Sequence, residues 1–196
     1  MNNSFHYFVI FKPFGILSQF TDKEGRKTLK DIFDFPKDVY PVGRLDMDSE
    51  GLLLLTNDKG LTDFLLNPKN KHEKEYYVQV EGIPNKEALQ KLINGVVIEK
   101  KKTLPAKVCL IEKPDFKNRI PPIRERKNIP TSWISLTITE GRNRQVRKMT
   151  ASVGFPTLRL IRVRIKNVKL GNMIQGEVRE LTTEELAGLK ENFSRY

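Results

Sequence analysis

Three acidic side chains lie within five residues of one another in the segment VGRLDMDSEGLLLLTND (42–58). Asp46, Asp48 and Glu50 precede a glycine and an apolar run, and carboxylates in proteins act as bases, nucleophiles or metal ligands. Their spacing matches ligands 1, 3 and 5 of an EF-hand calcium loop, but ligand 12 would be Asn57 instead of a glutamate. We therefore reject a calcium loop. Two interpretations stay open: a catalytic carboxylate, or a polar turn whose side chains face water.

A strongly basic segment follows much later in the chain. Residues 141–166, GRNRQVRKMTASVGFPTLRLIRVRIK, contain eight Lys or Arg and no Asp or Glu. On a helix, Arg144, Arg147 and Lys148 share one face, because side chains three and four positions apart are neighbours. The strand pattern at 157–165 alternates apolar and basic residues and predicts one basic face. We expect a continuous positive surface that binds phosphates, since like charges without carboxylates between them disfavour a merely solvated face.

Two other segments contain residue types that contact nucleic acids. Tyr76 and Tyr77 are neighbours in KEYYVQV, so alternation along a strand places their rings on opposite faces and at most one ring lines a cleft. Aromatic residues in strands are more often part of the core. The basic run RERK (124–127) either clamps RNA or stays in solvent.

The elements that position these residues are short strands alternating with short helices. Strand patterns occur at 5–11, 51–58, 74–82, 132–139 and 157–165, and helical patterns at 28–33, 60–66, 84–95, 141–154 and 182–193. A hairpin around the lysine run 100–102 joins VVIE to LPAKVCLIE, and 113–130 is an irregular loop. This mixture predicts an α+β fold on a largely antiparallel sheet. We expect one domain over 1–196, or two lobes sharing that sheet.

Composition narrows the partner class. The net charge is +11 and the isoelectric point is near 9.7, which favours a polyanionic partner such as nucleic acid. No apolar run is long enough to span a membrane, and the N-terminus has no secretory signal pattern. The single cysteine, Cys109, fits a reducing cytoplasm. His6, His72 and Cys109 lie too far apart to have the spacing of zinc ligands.

Five segments in this order resemble the pseudouridine synthases of the branch that acts on small- and large-subunit ribosomal RNA. They are KPFG (12–15), GRLDMDSEGLLLLTND and its continuation (43–60), KEYYV (74–78), EGRNRQVRKM (140–149) and LRLIR (158–162). The combination is highly specific and extends to about residue 166. Most members carry an RNA-binding module before KPFG, which this chain is expected to lack. The block PPIRERKNIPTSW (121–133) resembles a subgroup without that module.

The resemblance implies isomerisation of uridine to pseudouridine, which needs no redox step, cofactor or metal. Asp46 would be the catalytic carboxylate, acting as a base, as an electrostatic stabiliser or as a nucleophile. Arg147 would pair with Asp46 and keep it charged. Tyr76 would stack on the target uracil. Leu160 would close the other side of the pocket.

The remaining site residues are implied to bind RNA. Arg44 would contact phosphate or fill the space left by the flipped uridine, because a stacked base hides its glycosidic bond. The other expected RNA contacts are Arg142, Arg144, Lys148 and Arg162. The expected substrate is one uridine of 23S ribosomal RNA, recognised through RNA shape and loops such as 113–130 by a monomer in the cytoplasm.

Two rival functions use the same residues. A ribosome-assembly factor without catalytic activity would need the basic surface and not Asp46. A metal-dependent nuclease would use Asp46, Asp48 and Glu50 as ligands, and its activity would vanish with a chelator.

Overall fold

A computed structural model describes residues 4–123, 126 and 129–193 of the 196-residue chain. The chain divides into two compact units: unit 1 comprises Met1–His72 and Arg162–Tyr196, and unit 2 comprises Glu73–Ile161. Helices are interspersed among largely antiparallel strands, which confirms the α+β class expected from the sequence. Within the described ranges, every helix is too short or too polar to cross a membrane.

Unit 1 is built on strands in the order β11-β1-β3-β9, with β2 paired to β3 and β10 paired to β9. Its strands are β1 (Tyr7–Lys12), β2 (Tyr40–Pro41), β3 (Glu50–Thr56), the second half of β9 (Thr157–Ile165), β10 (Val168–Lys169) and β11 (Val178–Glu180). Its helices are α1 (Lys59–Leu66) and α4 (Thr183–Lys190), with single 3₁₀ turns at Leu29–Asp31 and Pro68–Asn70.

The apolar run after the carboxylates forms the centre of unit 1. Every residue of β3 is buried, which explains why its sequence is a continuous run of leucines instead of an alternating pattern. β3 pairs antiparallel with β1, Lys12 lying opposite Gly51. The predicted helix at 28–33 shrinks to one 3₁₀ turn after Thr28. The last helix begins with a capping box, since Thr182 and Glu185 bond each other's backbone.

Unit 2 has the strand order β9-β4-β8-β7, β9 contributing its first half. Its elements are β4 (Lys74–Glu81), α2 (Lys86–Asn94), β5 (Val97–Ile98), β6 (Lys101–Lys102), β7 (Lys107–Ile111), β8 (Thr131–Ile138) and α3 (Gln145–Ser152). β4 and β8 pair over their full length, from Lys74 opposite Ile138 to Glu81 opposite Thr131.

A hairpin forms near the lysine run 100–102, as predicted, but its second strand is not the predicted one. Val97–Ile98 pairs with Lys101–Lys102 itself, and the turn is Glu99-Lys100, both in left-handed backbone conformations. The following strand Lys107–Ile111 pairs instead with β8. Because the turn has only two residues, the last two lysines of the run already belong to the second strand, which residue types alone did not indicate.

The helix predicted at 141–154 begins only at Gln145. Arg144 precedes it in a left-handed conformation with φ of 50°, so the residues before it form a turn. Between β7 and β8 the described residues form the irregular segment that was predicted for 113–130. Of the RERK run, Arg126 is described and pairs with Glu81, whereas 124, 125 and 127 lie outside the described residues.

Candidate active site

The turn that carries Asp46 is held by hydrogen bonds on both sides. The Ser49 amide donates to the Asp46 carbonyl oxygen at 3.0 Å, which closes the turn. On one side the Ser18 hydroxyl donates to the Leu45 carbonyl at 2.8 Å and accepts from the Leu45 amide at 3.1 Å. On the other side the Gly15 amide donates to the Met47 carbonyl at 2.8 Å. The half-buried Asp46 side chain is therefore mounted on a fixed backbone.

Lys12 lies buried close to the acidic cluster. Its ammonium donates to the carbonyls of Pro13, at 2.9 Å, and Ile16, at 2.7 Å. Burial lowers the pKa of Lys12 to about 8, while Glu50, Asp48 and Asp46 act in the opposite direction by favouring its charged form. The three carboxylates that the sequence singled out thus lie within electrostatic range of one buried cation. Sequence analysis used KPFG only as a mark of resemblance and gave Lys12 no role.

Glu50 belongs to the interior of unit 1. Its side chain is 1 % exposed and accepts a hydrogen bond from the Gln175 amide at 2.8 Å. A carboxylate so placed is a structural partner of Lys12 and Gln175, and not a group facing solvent. Gln175 was not anticipated, because it lies in the segment before β11 that carried no motif.

Arg162, expected on the exposed basic surface, is buried instead. It is 4 % exposed, and its Nε donates to the Leu52 carbonyl at 2.7 Å. Its backbone lies so close to Gly51 that a β-carbon there would overlap it. A guanidinium enclosed in this way cannot be a surface phosphate contact, so the predicted basic face of 157–165 is wrong at this position. Arg159, on the same strand, is buried as well.

The other predicted residue of unit 1, Arg44, is exposed next to Gly43, whose φ is +71°. Its guanidinium is accessible to a ligand, as a phosphate contact requires. Asp48 is half-buried and, like Asp46, favours the charged form of Lys12.

In unit 2, Tyr76 and Leu160 are both buried, at 8 % and 6 % exposure. Tyr76 lies on the β4 face that also buries Val78 and Val80, while Tyr77 lies on the opposite face beside Phe116. The predicted separation of the two tyrosine rings is therefore confirmed, and Tyr76 is the more enclosed of the pair.

Gln145 organises the turn before α3, a role that sequence analysis missed. Its side chain accepts from the Arg142 amide at 3.0 Å and donates to Glu140 at 2.6 Å. Glu140 in turn accepts from the Leu104 amide at 2.9 Å. Because Gln145 is 3 % exposed, this network fixes the backbone from 140 to 145 and with it the start of α3.

The basic segment is partly tied to the β5–β6 hairpin. The Arg142 guanidinium donates to the carbonyls of Ile98, at 2.7 Å, and Lys101, at 3.1 Å. Lys148 forms an ion pair with Glu99 in the turn of that hairpin. Sequence analysis expected no carboxylate near these cations, but the fold brings one from forty-nine positions away in the chain. Arg144 is exposed and Arg147 is half-buried on α3.

Each unit thus assembles part of the predicted site. Unit 1 groups Asp46 with Lys12 and with the buried Arg162, and unit 2 groups Arg142 and Lys148 around one hairpin. The pairing of Asp46 with Arg147 stays a prediction. Over the part of the chain that the structure describes, no group of three or more His, Cys, Asp or Glu side chains has the arrangement of a metal site.

Comparison with protein families gives one match over most of the chain. The family described as RNA pseudouridylate synthase matches residues 6–152. A curated relative from Vibrio parahaemolyticus serotype O3:K6 (strain RIMD 2210633), named ribosomal large subunit pseudouridine synthase E, is 54% identical over 170 residues. That alignment covers 87% of this chain and 71% of the relative. It agrees with the subgroup resemblance of 121–133.

Two further relatives extend the comparison. Ribosomal large subunit pseudouridine synthase B of Bacillus subtilis (strain 168) is 42% identical, over 94% of this chain and 71% of the relative. A solved structure described as a crystal structure of pseudouridylate synthase superposes with a TM-score of 0.78 at 30% identity. It covers 95% of this chain and 74% of that one, so the similarity includes both sequence and fold.

Proposed function

The chain belongs to the RNA pseudouridylate synthase family, and we propose that it isomerises one uridine of 23S ribosomal RNA with Asp46 as the catalytic carboxylate. The names of the relatives support the large-subunit substrate. The observation that carries the role of Asp46 is its mounting: both neighbouring residues are pinned by hydrogen bonds, and a buried lysine lies near its carboxylate. A reacting group must be held in this way to attack repeatedly from one direction.

The reaction breaks the bond from ribose C1′ to uracil N1, turns the base, and rejoins C1′ to C5. Asp46 would remove a ribose proton, stabilise developing charge or bond covalently, and each route needs an ionised carboxylate. The buried ammonium of Lys12 lies close enough to interact electrostatically with Asp46. In this proposal Arg147 pairs with Asp46. Tyr76 stacks on the uracil, and Leu160 closes the pocket.

Binding of the RNA precedes this chemistry and needs cations at the surface. Arg44 and Arg144 are exposed and suited to contacting phosphates. Arg142 and Lys148 contact the β5–β6 hairpin and add to the positive charge of the surface. The target base has to leave its stack before the glycosidic bond becomes accessible. We place this activity in the cytoplasm and assign it to a monomer.

The decisive experiment compares Asp46→Asn with the wild-type protein on unmodified 23S ribosomal RNA. Asn preserves size and most hydrogen bonding but removes the charge and the nucleophilic oxygen. We expect product formation to fall by about a thousandfold or more while RNA affinity is largely kept, because the carboxylate acts on the way to the transition state. Pseudouridines are mapped along the RNA, and affinity is measured by filter binding.

Asp48→Asn is the matched control, since it makes the same change two residues away. It should retain most of the activity. Equal losses in both variants, or abundant product from Asp46→Asn, would contradict the assignment. Repeating the wild-type reaction with EDTA separates the isomerase from a metal-dependent nuclease, because only the nuclease needs a divalent ion.

A further inference from the structure

Unit 2 contains a cavity that is lined by none of the residues assigned above. The loop between β7 and β8 and the strands β4, β8 and β9 enclose about 400 Å³. This volume lies within the range of roughly 300 to 1,000 Å³ that is usual for sites binding small molecules or single residues of a larger ligand.

The cavity lies on the face of the unit 2 sheet opposite Tyr76. Gln79 and Trp133 line it and are directly opposite each other in the β4–β8 register. Gln79 is three residues after Tyr76, and side chains alternate along a strand, so the two point to opposite faces. A group bound here is therefore not the base that Tyr76 would stack on.

The lining combines cations with aromatic rings. Lys113, Arg119, Arg126 and Arg159 line the cavity, and no acidic side chain is among its lining residues in the described part of the chain. Arg126 is paired from outside by Glu81 at 3.0 Å.

The apolar part of the lining comes from Phe116 and Trp133, and Gln79, Asn118 and Thr131 add hydrogen-bonding groups. The Gln79 amide nitrogen donates to the Thr131 hydroxyl at 3.1 Å, which sets the orientation of the amide. Aromatic faces, neutral polar groups and positive charge together match the three parts of a nucleotide: base, sugar and phosphate.

Within the described part of the irregular loop, residues 116–122 of one wall are held by contacts of their own. The Arg119 guanidinium donates to the carbonyls of Pro121, at 2.9 Å, and Pro122, at 3.1 Å. Phe116 packs beside Tyr77, with ring centroids 6.4 Å apart. A wall fixed by its own contacts loses little freedom when a ligand binds.

We propose that this cavity binds an unpaired nucleotide of the RNA, distinct from the uridine that is isomerised. The base would stack on Phe116, beside the buried ring of Trp133, and the flanking phosphates would be held by Lys113 and Arg119. Single-stranded binding sites use this combination of stacking and charge. A base inside a duplex cannot enter, because its faces are covered by neighbours. The inference rests on the proposed function in taking RNA as the ligand.

Trp133 makes the site directly observable, because it is the only tryptophan of the chain. A short single-stranded oligoribonucleotide, of about ten residues, is titrated against the full-length protein while tryptophan fluorescence is recorded. The same sequence annealed into a duplex is titrated in parallel. We expect saturable quenching by the single strand and at least about tenfold weaker quenching by the duplex. Equal quenching by both would overturn the proposal.

Lys113→Gln and Lys117→Gln form a matched pair of variants. Both lysines are exposed in the same loop and lose the same charge, but only Lys113 lines the cavity. Lys113→Gln should weaken the binding seen by fluorescence several-fold more than Lys117→Gln does. Phe116→Leu, which removes a stacking surface but keeps an apolar side chain, should weaken it by about tenfold. Equal affinities for the two lysine variants would contradict the assignment.

Kinetics on 23S ribosomal RNA distinguishes failure of this inference from failure of the proposed function. If the wild-type protein forms no pseudouridine there, the proposed substrate is wrong, while the fluorescence titration still reports on the cavity. If the wild-type protein is active, Lys113→Gln should raise the KM for the RNA relative to Lys117→Gln. An unchanged KM would overturn the role of the cavity in substrate binding.

Discussion

One Glu-Gly dipeptide, at 50–51, lies in the acidic region (42–58), and another, at 140–141, begins the basic region (141–166). These two copies have different roles. Glu50 is buried in unit 1, and Gly51 lies against the backbone of Arg162 with a φ of +110°. Glu140 is half-buried in unit 2 and organises a turn, while Gly141 has open space around its α-carbon. The same two residue types therefore allow close packing in one region and shape a loop in the other. The structure of the acidic region depends on buried packing, and that of the basic region on hydrogen bonds nearer the surface.

The largest expected difference between the regions is the loss of stability when the glycine of each Glu-Gly pair is replaced by alanine. Gly51→Ala should lower the free energy of unfolding by roughly 4 kcal/mol, because alanine is strained at this φ and its β-carbon overlaps the backbone of Arg162. Gly141→Ala should change it by less than about 0.5 kcal/mol. Urea denaturation of the two variants measures both. Similar midpoints would mean that the packing of β3 against β9 is looser than the structure indicates.

A second comparison concerns the buried charge near the acidic cluster. Burial lowers the pKa of Lys12 from 10.5 to about 8, so the unfolded chain binds more protons than the folded protein between these pH values. The free energy of unfolding should therefore increase by about 3 kcal/mol as the pH rises from 8 to 10.5. Below pH 8 Lys12 is charged in both states, and the full destabilisation by the buried charge is present.

Lys12→Met removes the titrating group and supplies the reference. The unfolding free energy of the wild-type protein minus that of Lys12→Met should increase across this pH window, measured by urea denaturation at several pH values. Lys102→Met is the surface control, because Lys102 is exposed. A difference that stays constant with pH would show that Lys12 is not desolvated to this extent.

The smallest expected effect is in the basic region. Arg144 is exposed, whereas Lys148 is half-buried and forms an ion pair with Glu99. Arg144→Ala should weaken RNA binding several-fold and reduce the salt slope of the association constant by about one, as loss of a phosphate contact does. Lys148→Ala should have the smaller effect on both quantities. Filter binding over a series of salt concentrations tests this order, and the reverse order would show that RNA displaces Glu99.

The sequence determined the local elements well where a pattern and its burial agree. The leucine run of β3, the strand predicted at 74–82 and the helix predicted at 182–193 all form in the expected places. In each of these elements the spacing of the apolar residues matches the face that the fold buries, so the local pattern was sufficient to identify it. The motifs also identified the family correctly: KPFG, GRLD and RQVRKM all lie within the residues that the family matches.

Tertiary structure alone decided which charged residues are exposed. The sequence pattern predicted that Arg162 is an exposed cation, but it is buried, because Gly51 lets the backbone of β9 approach β3 closely. Lys12 ends an apolar strand and is buried within electrostatic range of three carboxylates from another segment. Lys148 finds Glu99 through a hairpin whose register no local pattern specifies. The sequence determines the charges and the elements that carry them, but the partner of each charge depends on contacts between distant segments, which only the folded chain creates.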